Sequence, residues 1–350
     1  MHCLRGAALL KLFRVNDGNS LYPLIYSAKH LQIKNGGQGK TLVLLSLARR
    51  YHMSSCTNEF TDLGPTPILG SNRFRIWSEN VSAYFIIDVA MPNPMFSKSG
   101  PVPVMFVTDG NICFGAASTL LNSLAMEPDG PPPHCIVGIG YDVSGRGEKA
   151  EHLAIRTRDL SPCEDKRFEA MMRRAPAPFT WQDEILAGGA TSFLAFILEE
   201  LSPWLASRFD LDLTQTTLTG ISMGGLFVLN TAFTQPEAFQ RYVAISPAIW
   251  WADSFLIALE EQTSTKRQNV KMDIFMAVGE FEEAADAHAK MVSNLVKLAN
   301  QMDSRSISGL ILYHKILKGE SHMSVFSPAF SRACRALFAG QNRNESWANL

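Results

Sequence analysis

The stretch Thr216-Thr217-Leu218-Thr219-Gly220-Ile221-Ser222-Met223-Gly224-Gly225-Leu226-Phe227-Val228-Leu229-Asn230 decides the fold. Its first residues are β-branched or apolar and read as a strand, its last five read as a helix, and a Gly-x-Ser-x-Gly turn joins them. A chain that passes so abruptly from strand to helix needs small residues on both sides of the serine, because larger side chains would collide across the turn. The turn lifts a hydroxyl to the end of a sheet. There it sits beside a helix N-terminus, whose unpaired N–H groups and positive dipole end suit a developing negative charge.

The pattern continues in both directions. Upstream lie the β-like runs Phe74–Trp77, Ala83–Val89, Val102–Val107 and Ile136–Gly140, with a helical stretch from Ala116 to Ala125 before the last of them. Downstream lie Tyr242–Ile245, Met272–Val278 and Leu310–Leu317, with a long helical pattern from Ala284 to Met302 that puts Met291, Leu295 and Leu298 on one stripe. Buried apolar strands alternating with helices predict a mainly parallel, twisted sheet covered by helices on both faces. With the serine turn, that is the α/β-hydrolase fold, expected over residues 63–341. Ligands in such sheets bind beyond the carboxyl ends of the strands, where Asp109-Gly110, Tyr141, Ser222, Ser246, Glu280 and Glu320 are all expected.

Residues 142–190 break the alternation. They are long, polar and proline-containing, carry Arg146, Lys149, Arg156, Arg158, Arg173, Arg174 and Trp181, and read as a structureless, lid-like insertion over the C-terminal edge of the sheet. Residues 1–62 lack sustained periodicity and are expected to be an N-terminal appendage, with 342–350 a C-terminal tail. Asn35-Gly36-Gly37-Gln38-Gly39-Lys40-Thr41 resembles a phosphate-binding loop, but the leading glycine of that motif falls on Lys34. A basic, Gly-rich loop is the preferred reading.

Composition sets the outer limits. A formal net charge of -1 argues against a nucleic-acid binder, although residues 1–60 carry eight basic side chains against Asp17 and Glu59. No run approaches the ~18 apolar residues of a membrane span, so no membrane partner is expected. The six cysteines, Cys3, Cys56, Cys113, Cys135, Cys163 and Cys334, lack Cys-x-x-Cys spacing. They predict neither a zinc site nor a disulfide framework, and a reduced, cytoplasmic chain with no metal and no cofactor is expected.

A serine hydroxyl needs a base within hydrogen-bond reach, and usually a third group to orient that base. His322, in Lys318-Gly319-Glu320-Ser321-His322-Met323-Ser324, follows the last strand and is the expected base, whereas His314 falls inside the strand. The chain order serine, acid, histidine puts the acid after the strand ending at Val278. Glu280, Glu282, Glu283 and Asp286 all lie there; Glu282 is preferred because it follows the Gly279 turn by enough residues to point back at the sheet. Oxyanion donors are expected at the backbone N–H of Met223, directly after the nucleophile, and at Asn111 or Ile112 beyond the early strand.

These residues resemble the putative-esterase branch of the α/β-hydrolases, closest to the enterobactin-type siderophore esterases, over roughly residues 65–340. Val107-Thr108-Asp109-Gly110-Asn111 is similar to that branch's DGN oxyanion loop, and Val137-Gly138-Ile139-Gly140-Tyr141 to its next strand. Arg156-Thr157-Arg158-Asp159-Leu160-Ser161-Pro162, Gly188-Gly189-Ala190, Ile245-Ser246-Pro247-Ala248 and Gly319-Glu320-Ser321-His322-Met323-Ser324 match further segments in order. The resemblance implies ester hydrolysis by Ser222 and His322, with Arg156 contacting substrate and Tyr141 and Trp250 completing the expected substrate-binding set. Some siderophore esterases work with a Ser-His pair alone, which leaves the need for Glu282 open. The implied partner is a small-molecule ester such as a ferric siderophore; a strongly anionic ferric catecholate would give Arg156 and its neighbouring cations a purpose. Two other readings remain on the same fold: an acyltransferase, and a noncatalytic ligand-binding protein.

Overall fold

The computed structural model describes residues 68, 70–94, 100–127, 130–143, 148–175, 187–285 and 288–338, together with 30–31 and 42–43. The phosphate-loop-like segment at 34–41, Arg146, Trp181, Asp286 and the tail at 342–350 lie outside the described residues. Contacts divide the chain into Met1–Pro65 and Thr66–Leu350. In the first unit, β1 (His30–Leu31) pairs antiparallel with β2 (Leu42–Val43).

The second unit is built on one eight-stranded sheet. Its strands are β3 (Ser71–Ser78), β4 (Ala83–Ala90), β5 (Val102–Thr108), β6 (Cys135–Tyr141), β7 (Leu211–Ile221), β8 (Arg241–Ile245), β9 (Met272–Gly279) and β10 (Leu310–Leu317). They lie in the order β10-β9-β8-β7-β5-β6-β4-β3. β4 runs antiparallel to both neighbours, and every other pairing is parallel. This is the expected α/β-hydrolase sheet.

Alternation along each central strand explains why helices cover both faces, since successive side chains point to opposite sides. From β5, Val104 and Phe106 join one apolar cluster, while Met105 and Val107 join the other. From β8, Tyr242 and Ala244 go to the first, and Val243 and Ile245 to the second. The first cluster is closed by α6 (Met223–Thr234), α7 (Trp251–Thr263), α9 (Met291–Ser304), and the run α4 (Ala190–Ala195), a π-helical turn at Phe196–Leu201 and α5 (Ser202–Ala206). The second is closed by α1 (Gly110–Leu124) and α10 (Phe326–Phe338). α6 is buried at Met223 through Phe233, so its apolar run shows no amphipathic stripe.

Two expectations are corrected. The stretch 142–190 is not a structureless connection: it holds α2 (Glu148–Leu160) and α3 (Lys166–Arg174). α2 has few apolar residues because its inner face is anchored by ion pairs and hydroxyls, so the apolar periodicity that marks most helices is missing. Arg156 pairs with Asp109, Arg158 with Asp159, and the Thr157 hydroxyl donates to the Leu153 carbonyl at 2.7 Å. Asp165 caps α3, accepting from the N–H groups of Arg167 and Phe168. The helical pattern at 284–302 is likewise two helices, α8 (Glu282–Ala285) and α9, separated by a turn in which Lys290 takes a left-handed conformation with φ 45°.

The elbow depends on close backbone approach between β7 and α6. A Cβ on Gly220 would meet the backbone of Gly224, and one on Gly224 would meet the Thr108 hydroxyl on β5. Neither contact is with the far end of a flexible side chain. Gly224→Ala is therefore expected to lower stability by about 2–3 kcal/mol, read as a lower urea midpoint at unchanged m.

Candidate active site

The elbow holds Ser222 at φ 60° and ψ -116°, outside the regions that L-residues ordinarily occupy. Such a conformation costs about 1–3 kcal/mol and persists only where its surroundings fix it. Here they do. The Ser222 N–H donates to the Ile245 carbonyl at 2.9 Å, and its own carbonyl accepts from Leu226 N–H at 2.9 Å and Ala248 N–H at 3.0 Å. Met223 opens α6, so its N–H is one of the donors that a helix cannot satisfy internally.

β9 ends at Gly279 and the chain turns directly into α8, which begins at Glu282. That carboxylate is 2% exposed and fully engaged. One oxygen, Oε1, accepts from the Ser246 hydroxyl at 2.6 Å and from Gly279 N–H at 2.7 Å, while Oε2 bonds His322 Nδ1 at 2.6 Å. Burial pushes the acid upward, but the hydrogen bonds from His322, Ser246 and Gly279 outweigh it and hold Glu282 below the ordinary carboxylate range. With Nδ1 committed to the carboxylate, Nε2 is the imidazole nitrogen left for proton transfer. Among the described residues no hydrogen bond joins the Ser222 hydroxyl to His322; in unliganded sites such contacts are commonly long and tighten with substrate.

The geometry separates the acids that the sequence left open. Glu280 is exposed and accepts from Gly319 N–H at 2.9 Å. Glu283 serves the first turn of α9, accepting from Val292 N–H at 2.9 Å and Ser293 N–H at 3.0 Å. Of the described acids in this loop, Glu282 alone reaches His322.

Ser246 is a residue that the sequence reading placed at a strand end without a role. It follows β8, is fully buried, takes φ 42° and aims its hydroxyl at the acid. The Ser-Pro-Ala step was the available signal. Ser246→Ala is expected to lower kcat about 10-fold with little change in KM, because a hydrogen bond to a buried carboxylate is lost while the binding surface stays intact.

On the opposite side of the elbow, Asp109 follows β5 and caps α1 in a left-handed conformation with φ 53° and ψ 42°. Its carbonyl accepts from Ile112 N–H at 2.9 Å and Cys113 N–H at 3.0 Å, so the Ile112 donor is already spent. Asn111 N–H has no backbone acceptor among the described residues, which favours it over Ile112 as an oxyanion donor. The Asn111 side chain clasps the end of β6, its Oδ1 accepting from Tyr141 N–H at 2.6 Å and its Nδ2 donating to the Tyr141 carbonyl at 3.0 Å. This fixes where the loop sits.

The expected substrate-binding residues separate. Arg156 does not present a free guanidinium: its Nε and Nη2 donate to the two carboxylate oxygens of Asp109, each at 2.8 Å. Asp109 is buried, so its charge requires that partner, and Arg156 acts as a strut under the Asn111 loop. Tyr141 is 2% exposed, its ring packed against Phe85 and His152, and its hydroxyl is buried without a hydrogen bond; it belongs to the core. Trp250 does line a cleft, of about 700 Å³, with Phe168, Met171, Asp165, Asp253 and His288 among the other walls. Ser222 and His322 are not part of that lining, but Trp250 is four residues beyond Ser246 and His288 six beyond Glu282. The cleft is therefore bounded by the segments that leave the same strand ends as the acid and its supporting serine. Among the described residues no group of His, Cys, Asp and Glu could hold a metal ion, and no helix is long and apolar enough to cross a membrane.

Comparison with known proteins identifies the family. The family model described as "Putative esterase" matches residues 84–337. The chain is 30% identical over 262 residues to the ferri-bacillibactin esterase BesA of Bacillus subtilis, covering 74% of this chain and 86% of that protein. It is 28% identical over 298 residues to a siderophore triacetylfusarinine C esterase of Aspergillus fumigatus, covering 78% and 95%. Among solved structures, the BES protein from Bacillus cereus superposes with a TM-score of 0.67 at 26% identity, over 81% of this chain and 99% of that one. The chain belongs to the putative-esterase family of the α/β-hydrolases, and it is a carboxylic ester hydrolase.

Proposed function

We propose that the protein hydrolyses ester linkages of siderophore-like molecules through an acyl-enzyme on Ser222. His322 Nε2 takes the hydroxyl proton as Oγ attacks the ester carbonyl, and Glu282 stabilises the imidazolium that forms. The N–H groups of Met223 and Asn111 receive the carbonyl oxygen as it becomes negative. When the tetrahedral intermediate collapses, the C–O bond to the alcohol breaks and His322 returns its proton to the leaving oxygen. Water then attacks the acyl-enzyme, with His322 again as base, and the carboxylate is released.

The observation that carries this reading is the Ser246–Glu282–His322 relay. It lies beyond the ends of β8, β9 and β10, in the part of the sheet that also carries the strained serine at the end of β7. A bonded acid orients the imidazole, so a working acid is favoured over a Ser-His pair alone. The substrate assignment is supported by the names of the relatives, which are esterases of siderophores in a bacterium and a fungus.

The test is a product analysis. The wild-type protein is incubated with iron-free and ferric siderophore triesters and with a p-nitrophenyl ester. Ring-opened acids and free alcohols are the expected products, their summed mass one water greater per bond cleaved. Preferential transfer of the acyl group to an added alcohol would instead identify an acyltransferase, and intact triesters beside a hydrolysed aryl ester would remove the siderophore assignment.

A further inference from the structure

Asp109 lies between the two segments that carry the expected oxyanion donors. On one side it precedes Asn111 by two residues. On the other, a Cβ placed on Gly224, the residue after Met223, would stand 3.4 Å from Asp109 Oδ2, so the carboxylate rests against the first turn of α6. Its side chain is 1% exposed, and water does little to screen its charge.

A carboxylate in that place opposes the chemistry. The N–H groups of Met223 and Asn111 stabilise negative charge as it develops on the ester oxygen, and a second negative charge fixed beside them at low dielectric makes it harder to form. The same carboxylate takes up part of the positive end of the α6 dipole. Among the described residues the one cation within ion-pair distance is Arg156, whose Nε and Nη2 donate to Oδ1 and Oδ2 at 2.8 Å each. Only 13% of the Arg156 side chain is exposed, so the guanidinium is spent on Asp109 and offers little to a ligand. α2 delivers it from a face that also touches the surroundings of both donors. Thr157 Oγ1 lies 3.9 Å from Met223 Sδ, and His152 packs against the ring of Tyr141, the residue whose backbone Asn111 clasps.

We propose that Arg156 is a positioning residue for the chemical step: by neutralising and holding Asp109 it keeps a competing charge away from the oxyanion, and it does not read the substrate. The role rests on the acyl-enzyme reading above and deepens it.

The experiment measures kcat and KM of wild type, Arg156→Gln, Asp109→Asn and the double variant on a neutral and on a carboxylate-bearing p-nitrophenyl ester. It also measures Ki for phenylboronic acid, which becomes tetrahedral and negatively charged on an activated serine. Arg156→Gln strips Asp109 of its counter-charge and is expected to lower kcat about 100-fold on both esters with KM unchanged, and to raise the boronate Ki by a similar factor. Asparagine tolerates the left-handed backbone at 109, and the double variant leaves no buried charge unpaired, so it should recover at least ~10-fold of that loss. Asp109→Asn alone should lose at least ~10-fold less than Arg156→Gln, although both break the same pair. If Arg156→Gln fails to fold, the double variant decides against wild type: kcat within ~10-fold at unchanged KM is expected, and a ~100-fold loss overturns the inference. A KM that rises for the carboxylate-bearing ester alone, with kcat kept, makes Arg156 a substrate contact. Equal losses in the two single variants make the pair purely structural. Either result overturns the inference and leaves ester hydrolysis by Ser222 standing, whereas a wild-type protein that neither cleaves the esters nor binds the boronate removes the acyl-enzyme reading itself.

Discussion

Ser222→Ala is expected to lower kcat for a p-nitrophenyl ester by about 10⁴-fold or more, with KM changed little and the folded state retained. The size follows from the role: without the hydroxyl no acyl-enzyme forms, and only the oxyanion donors and the binding surface remain. Alanine fits the site because the contacts that fix the elbow are made by the Ser222 backbone, not by its side chain. Circular dichroism and the thermal midpoint separate loss of chemistry from loss of fold. A variant that keeps even a tenth of the wild-type rate would place the nucleophile elsewhere.

Glu282→Gln should lower kcat by about 10³-fold at neutral pH. The amide still fills the space, but it cannot neutralise the imidazolium, and its NH2 group cannot accept both the Ser246 hydroxyl and the imidazole N–H that the carboxylate now receives. A protein working through Ser222 and His322 alone would lose 10-fold or less, so the variant decides whether the acid is used.

The same substitution has a consequence for stability. Because Glu282 is held below its ordinary value, it is more readily protonated in the unfolded chain than in the folded one. Its contribution is present above the unfolded pKa of about 4.3 and is lost as pH falls through the lower folded value. Thermal melts between about pH 6 and 3 should therefore show a shallower acid decline in Glu282→Gln than in the wild type. An identical decline in both would remove the carboxylate from the acid-sensitive set.

The fold was legible wherever packing is apolar. β5, β8 and β9 are buried along nearly their whole length, so their runs of Val, Ile, Phe and Met announce themselves, and the small residues of the elbow report the close approach of β7 to α6. α2 escaped notice because its inner face is built from charge: Arg156, Thr157 and Asp159 take the places where Leu or Val would normally show a stripe. The same pairing misdirected the reading of Arg156. The family resemblance of its segment assigns Arg156 to substrate, and only the structure shows both oxygens of Asp109 bound to it.

The site divides along similar lines. Ser222 and His322 could be placed from chain order alone, since each follows the strand that the hydrolase sheet assigns to it. The choice of Glu282 over Glu280 and Glu283 is set by the tightness of the turn at Gly279, whose N–H bonds the chosen carboxylate. Among three acids in four residues, distance from the Gly279 turn is the one sequence signal that ranks them. Ser246 was hidden because its function depends on a left-handed backbone that no serine advertises in sequence.

The proposed proton path from Ser222 to His322, oriented by Glu282, is tested most directly by trapping its covalent product. The protein is treated with a fluorophosphonate, which reacts with an activated serine, then digested and analysed by mass spectrometry. The adduct should fall on the peptide bearing Ser222, appear rapidly in the wild type, and form at least ~10³-fold more slowly in His322→Ala and in Glu282→Gln. Labelling confined to another residue, or labelling of Ser222 at the wild-type rate in His322→Ala, would contradict it.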